Sequence, residues 1–161
     1  MGPEYVHVTT DDRLVDEIAR RLEHTSLFEG CYPADIAAIA RRFEVRQVAR
    51  GEYLILAGAL GDEFFMLLSG AARRGGASER TRDLGPGDYF GELALLDPAP
   101  RSMDVVAVDE CVVGVLSGST FRVLLGSVPG VAPHLLASLA RRLREAELGD
   151  WPPNTADGQP Y

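Results

Sequence analysis

Four residues near the middle of the chain, Gly91, Glu92, Arg101 and Ser102, have the types and spacing needed to hold a phosphorylated sugar. Arg101 can clamp a phosphate through two parallel N–H bonds, and Ser102 places a hydroxyl donor beside it. An ionised Glu92 only accepts hydrogen bonds, so it suits a pair of sugar hydroxyls. Gly91 has no Cβ to keep a ligand from the backbone, and a helical turn that starts after it attracts an anion. The four residues therefore predict an anion site beside a hydroxyl site.

The same residues also permit a purely structural interpretation. A Glu92–Arg101 ion pair would hold a loop in place without contacting a ligand. Ser102 would then be an ordinary residue at the start of a strand.

The segment that carries these residues lies in a β-rich region from 46 to 117. Short apolar runs punctuated by glycine, with turn signals roughly every 8–12 residues, predict an antiparallel sandwich or barrel. Residues 92–96 favour one helical turn inside this region, which Pro98 ends. The apolar runs span residues 53–56, 64–68, 105–108 and 111–116.

Helical periodicity dominates residues 11–45, before the β region. Asp11 or Asp12 is predicted to cap a first helix, and Pro33 with Asp35 to open a second.

A second helical region follows the β region, from residue 119 to 148. Ser119 is predicted to cap a short helix, residues 128–130 to interrupt it, and Pro133 to start a longer one. The arginines of the longer helix, at 141, 142 and 144, are interpreted as a solvated face. Its apolar stripe is predicted to consist of Leu135, Leu139, Leu143 and Ala146.

Composition limits the classes of function that the chain can serve. The 161 residues carry a formal charge of −8, which argues against a general nucleic-acid binder. Cys31 and Cys111 are too few for a disulfide framework or a four-cysteine zinc site. No apolar run has the length of a membrane span, and the N-terminus lacks the pattern of a signal peptide. The sequence shows no recognisable set of catalytic residues, and neither a metal site nor a cofactor is expected.

The string Phe-Gly-Glu-Leu-Ala-Leu-Leu at 90–96, followed by Pro100 and Arg101, resembles the phosphate-binding cassette of the cyclic-nucleotide-binding domain family. The resemblance covers roughly residues 26–147. It implies a mainly β fold, an antiparallel β-roll (a double-stranded β-helix or jelly roll) with N-terminal helices and C-terminal lid helices. The expected divisions are an extension (1–10), the domain (11–148) and a flexible tail (149–161).

The resemblance also implies a role for each matching residue. Arg101 would pair with the cyclic phosphate with help from Ser102, and Glu92 would accept from the ribose 2′-hydroxyl. The backbone at Gly91 and Leu93 would approach the ligand, and Ala94 completes the predicted ligand-binding set.

Two positions after the arginine depart from the family pattern, because Met103 and Asp104 replace small, Thr or apolar residues. Met103 is expected to crowd the pocket. Strand alternation would place Asp104 on the same face as Ser102, beside the phosphate. The last helix has Ala146 and Glu147 at the positions where one member of that family, the bacterial catabolite activator protein, has polar residues that touch the adenine. Trp151 is a candidate aromatic lid over the base, and a packing anchor is the alternative.

The functional expectation is a non-enzymatic, cytoplasmic receptor that binds cyclic AMP and signals through its C-terminal helix to an unidentified protein effector. A cyclic-GMP receptor and a ligand-free interaction module of the same fold are the alternatives. Too few residues follow the last helix for a DNA-binding domain, so no DNA contact is expected through this chain. The all-arginine composition suggests a bacterial source, since the chain contains no lysine. A dimer that uses Leu136 and Ala140 is a further hypothesis.

Eight apolar residues are predicted to form the core. They are Leu54, Phe65, Leu67, Leu93, Leu95, Val105, Val113 and Val115.

Overall fold

The computed structural model describes residues 6–25, 27–76 and 79–149. Its helices are α1 (Asp12–Leu22), α2 (Pro33–Ala40), α3 (Gly118–Ser127) and α4 (Val131–Gly149), with one 3-10 turn at Glu92–Leu95. The strands are β1 (Val6–Val8), β2 (Glu44–Val48), β3 (Tyr53–Ile55), β4 (Leu60–Gly61), β5 (Glu63–Ser69), β6 (Ala72–Gly76), β7 (Glu79–Leu84), β8 (Tyr89–Phe90), β9 (Ala99–Pro100), β10 (Asp104–Ala107) and β11 (Cys111–Ser117).

The strands form three antiparallel sheets. The five-stranded sheet has the order β1-β2-β11-β5-β8, and the four-stranded sheet has the order β3-β10-β6-β7. The third sheet is the short pair β4-β9. This arrangement confirms the predicted antiparallel β-roll with flanking helices. The described residues contain eleven strands, and three of them, β4, β8 and β9, have only two residues and are not revealed by apolar periodicity.

Strand β5 separates two hydrophobic cores. Phe64 packs with the helices α1 to α4 on one face of the sheet, whereas Phe65 faces the interior of the roll. Because both faces of β5 are covered, its residues 64–68 form an unbroken buried apolar run instead of alternating. The predicted core residues are buried with one exception: Leu93 is 54% exposed, since it lies at the cavity described below.

The helix starts agree with the sequence at α1 and α2 but not at α3. Asp11 caps α1, its Oδ1 accepting from the Leu14 amide at 2.9 Å, and Pro33 is the first residue of α2. The cap of α3 is Ser117 and not Ser119: the Ser117 Oγ accepts from the Thr120 amide at 3.2 Å. Strand β11 runs directly into α3, so the cap is the last residue of the strand.

The ends of the domain also differ from the expected boundaries. The N-terminal extension contributes β1, which pairs with β2 through Val6↔Gln47 and Val8↔Val45. The first helical region ends at Ala40, and α4 begins at Val131, two residues before Pro133. Residues 150–161, including Trp151, lie outside the described residues, as does the side chain of Ala146.

Within the described ranges, no single helix is long and apolar enough to cross a membrane. Helix α3 and the part of α4 up to Glu145 meet the requirements of length and composition only as a pair, and they are bent by 115° against each other.

Candidate functional site

A cavity of about 530 Å³ opens between the 3-10 turn and the interior of the roll. Its walls combine apolar side chains, such as Ile55 and Phe90, with several charged ones. The structure brings all the predicted ligand-binding residues together here, and their contact with a ligand stays a prediction. These residues are Gly91, Glu92, Leu93, Ala94, Arg101 and Ser102.

Main-chain hydrogen bonds to the loop before β4 fix the backbone of Arg101. Its amide donates to the Ala59 carbonyl at 2.9 Å, and its carbonyl accepts from the Gly58 amide at 2.8 Å. The guanidinium then reaches back to β5, where Nη2 donates to the Glu63 carbonyl at 2.7 Å. The side chain is therefore held at both ends.

Two glycines create the space that the guanidinium of Arg101 occupies. A Cβ at Gly61 would lie 2.7 Å from the Arg101 Nε, and a Cβ at Gly91 would lie 3.0 Å from its Nη1. Gly91 has a second reason to be glycine. Its φ is +80°, a left-handed conformation, and a Cβ there would lie 2.6 Å from the Glu63 carbonyl oxygen.

Arg101 is a half-buried cation without a close carboxylate partner in the described part of the chain. Burial lowers the pKa of its guanidinium, and the charges of Glu63 and Asp62 act in the opposite direction. The Glu63 carboxylate is itself paired with Arg46 at 2.8 Å. No ion pair within 4.0 Å involves Arg101 among the residues described. Such a cation favours an anion entering the cavity.

Glu92 opens the 3-10 turn, and its carboxylate is paired with a residue of α4. The Arg142 Nη2 lies 3.5 Å from the Glu92 Oε1, and the Glu92 side chain is 18% exposed. Arg142 was predicted to lie on a solvated helix face, and its pairing with Glu92 corrects this. The missed signal was spacing: Arg142 follows the buried Leu135 by seven residues, so both lie on one helix face. Leu143, which was predicted for that face, is 61% exposed.

The structural interpretation of the Glu92–Arg101 pair finds no support in this geometry. Glu92 pairs with Arg142, and Arg101 bonds to the Glu63 carbonyl. The two residues face one cavity without forming an ion pair with each other in the described part of the chain. Each residue therefore has its own partner within the protein, and both line the same cavity.

Comparison with known proteins identifies this arrangement. The sequence model of the cyclic nucleotide-binding domain matches residues 45–127, which is just over half of the chain. The chain belongs to the cyclic nucleotide-binding domain family.

Similar proteins include two curated regulators. The Cyclic AMP receptor protein of Thermus thermophilus is 36% identical over 132 residues, which cover 79% of this chain and 61% of that protein. The cAMP-dependent protein kinase regulatory subunit of Emericella nidulans is 39% identical over 112 residues, covering 68% of this chain and 27% of that protein. The chain thus spans less than two thirds of each.

A solved structure supports the same assignment. The N-terminal domain of a transcriptional regulator from Streptomyces coelicolor superposes with a TM-score of 0.74 at 27% identity. The match covers 86% of this chain and 96% of that one.

The two departures from the family's cassette have different outcomes. Met103 lines the cavity as expected, and its Sδ contacts the Nε of Arg74. The expectation for Asp104 is wrong: its Oδ1 accepts from the Ala57 amide at 2.7 Å, and Asp104 is not part of the lining. Strand β10 begins only at Asp104, so the bend at Ser102 and Met103 breaks the alternation on which that expectation relied.

Sequence reasoning missed a second feature of this family member, on the β6–β7 side of the cavity. Arg74 and Arg82 both line the cavity there, next to Leu84. The signal was available, because Arg74 lies two residues after the buried Ala72, and strand alternation places both on one face.

Proposed function

We propose that this chain is a receptor for a 3′,5′-cyclic nucleotide and that it binds its ligand without transforming it. Cyclic AMP is the first candidate ligand, because the names of the similar proteins in Thermus thermophilus and Emericella nidulans refer to it. Those names denote a receptor and a regulatory subunit, which supports regulation rather than catalysis. The chemistry of the cavity supports the same assignment.

The observation that carries the proposal is the placement of Arg101. Its guanidinium lies in a space that Gly61 and Gly91 leave open, bonds to the Glu63 carbonyl, and lines a cavity. An anion in that cavity would provide the charge-assisted bonds that a main-chain carbonyl cannot. The cyclic phosphate carries one negative charge on two free oxygens, which suits the planar fork of an arginine. Ser102, also at the cavity, would donate its hydroxyl to the same group.

Glu92 is proposed to bind the ribose. Its carboxylate lines the same cavity and accepts hydrogen bonds, as a free 2′-hydroxyl requires. Because Arg142 of α4 pairs with this carboxylate, a ligand at Glu92 would alter the environment of α4 directly. We propose that α4 passes the signal to a protein partner by this route.

Isothermal titration calorimetry with cyclic AMP, cyclic GMP and linear 5′-AMP tests the proposal. Saturable binding of a cyclic nucleotide, with much weaker binding of 5′-AMP, is expected, because the doubly charged linear phosphate does not match a site formed for a cyclic diester. A melting experiment provides a second measurement, since a ligand at 100 times its Kd stabilises the folded state by about 2.7 kcal/mol. Absence of both signals would favour the ligand-free interaction module.

A further inference from the structure

Two arginines stand directly opposite each other in the sheet that forms one side of the cavity. Arg74 of β6 and Arg82 of β7 are Cα partners in the antiparallel ladder, and both line the cavity. Directly opposite like charges destabilise a strand pair. Two cations at this position therefore work against folding, which suggests that they serve another purpose.

The two arginines differ in the partners available to them. Arg82 is exposed, and its Nη2 lies 4.0 Å from the Asp88 Oδ1. Arg74 is half-buried, and its Nε contacts the Met103 Sδ, a weak acceptor. No described carboxylate lies within ion-pair distance of Arg74. Arg73, the preceding residue, is different, because it pairs outside the cavity with Asp83 at 2.7 Å.

The position of Arg74 relative to the proposed ligand contacts indicates which part of a nucleotide would reach it. The phosphate of a 3′,5′-cyclic nucleotide bridges C3′ and C5′, whereas the base is attached at C1′ and points away from it. If the phosphate binds at Arg101 and the ribose at Glu92, the base contacts the remaining walls of the cavity. Arg74, Met103 and Leu84 belong to those walls.

The chemistry of Arg74 distinguishes between the two purines. Guanine presents two acceptors, O6 and N7, on one edge, and an arginine fork donates to both. Adenine presents N7 beside an amino donor, which would face the arginine donors without a bond. Arg74 lines the cavity beside Met103, so its guanidinium would supply the donors for this edge.

We propose that Arg74 reads the O6/N7 edge of a guanine base and so adds affinity for guanine cyclic nucleotides. The inference rests on the proposed function and refines its ligand. Cyclic AMP shares the contacts to Arg101 and Glu92, and cyclic GMP gains the contact to Arg74 in addition.

The test is calorimetric titration of wild type, Arg74→Ala and Arg74→Lys with cyclic GMP, cyclic IMP and cyclic AMP. Cyclic IMP keeps O6 and N7 but lacks the 2-amino group of guanine. Arg74→Ala should weaken cyclic GMP and cyclic IMP on the order of tenfold and change cyclic AMP little. Arg74→Lys keeps the charge without the fork, so it should restore only part of the loss. Arg73→Ala is the matched control, because it removes a charge from the same strand outside the cavity.

Four results would overturn the inference. Equal losses for all three nucleotides in Arg74→Ala would show a general charge effect. A loss for cyclic GMP without one for cyclic IMP would show that the 2-amino group is read instead. Unchanged affinities of both Arg74 variants for all three nucleotides would show that Arg74 does not touch the base. Wild-type protein that binds none of the three nucleotides would overturn the proposed function itself, and this inference with it.

Discussion

The guanidinium of Arg142 lies 3.5 Å from the carboxylate of Glu92, although the two residues are 50 positions apart in the sequence. Arg142 belongs to α4, and Glu92 begins the 3-10 turn at the cavity. The Arg142 Nη1 is buried and has no hydrogen-bond partner among the described atoms, so Glu92 is the main anchor of this side chain. A ligand that bonds to Glu92 would share that carboxylate with α4.

Replacing Arg142 by methionine should destabilise the unliganded protein through the loss of this pair. The side chains are 35% and 18% exposed, so we expect a coupling energy of about 1 kcal/mol at most. Urea denaturation of wild type, Arg142→Met, Glu92→Gln and the double variant measures it. Arg141→Met is the control, because Arg141 is an exposed neighbour on α4. Strictly additive effects of the two substitutions would show that the contact contributes no stability.

Glu92→Gln should weaken the preference for a ribose over a 2′-deoxyribose ligand. The amide keeps one acceptor for the hydroxyl but loses the negative charge, and hydrogen bonds to charged groups are roughly twice as strong as neutral ones. Titration with cyclic AMP and its 2′-deoxy analogue gives the ratio of affinities for each protein. A ratio that stays the same in Glu92→Gln would place the 2′-hydroxyl elsewhere.

Arg101→Ala should weaken cyclic-nucleotide binding by more than an order of magnitude. Loss of a charge-assisted contact in a half-buried site removes about 2–5 kcal/mol, by analogy with buried charge pairs, and tenfold in Kd is about 1.4 kcal/mol. Arg101→Lys should recover part of the affinity, since it keeps the charge but not the fork. The exposed Arg41 supplies the control variant, Arg41→Ala, in the same titration. Undiminished binding by Arg101→Ala would contradict the assignment of the phosphate site.

Local spacing was sufficient to predict which residues lie together at the 3-10 turn, whereas their contact with a ligand stays a prediction. The string at 90–96 with Arg101 predicted the turn and its arginine. Gly91 was predicted for the approach of a ligand, and the structure adds that its φ of +80° and the nearby Glu63 carbonyl also require glycine. Leu93 was wrongly placed in the core, because helical periodicity cannot show that a four-residue turn has one open side. The cap of α3 was misplaced by two residues, since both Ser117 and Ser119 are good capping residues.

Local sequence patterns do not predict contacts between elements that are far apart along the chain. The Arg142–Glu92 pair depends on how α4 packs against the roll, and the Arg74–Arg82 pair depends on the β6–β7 register. From the sequence alone, an arginine on a helix or strand is expected to be exposed to solvent, and only the fold shows which residues it contacts. The sequence therefore predicts the Arg101 side of the cavity but neither of these two arginine contacts.

The two glycines around Arg101 should respond differently to alanine, because one faces a movable side chain and the other a fixed backbone. A Cβ at Gly61 would overlap the Arg101 guanidinium, which can move away. Gly61→Ala should therefore leave the free energy of unfolding close to wild type and weaken ligand binding. A Cβ at Gly91 would overlap the Glu63 carbonyl oxygen at a φ of +80°, so Gly91→Ala should lose about 2 kcal/mol or more of stability.

Gly58 provides the matched control for these two variants, since its φ is also +80° and a Cβ there would meet nothing within 4 Å. Gly58→Ala therefore measures the left-handed backbone penalty alone, about 1 kcal/mol. Urea denaturation should rank the losses of stability as Gly91→Ala, then Gly58→Ala, then Gly61→Ala. Calorimetry on the same proteins should show the loss of nucleotide affinity for Gly61→Ala, although it is the most stable of the three variants. Unchanged affinity in Gly61→Ala would mean that the position of the Arg101 guanidinium does not limit binding.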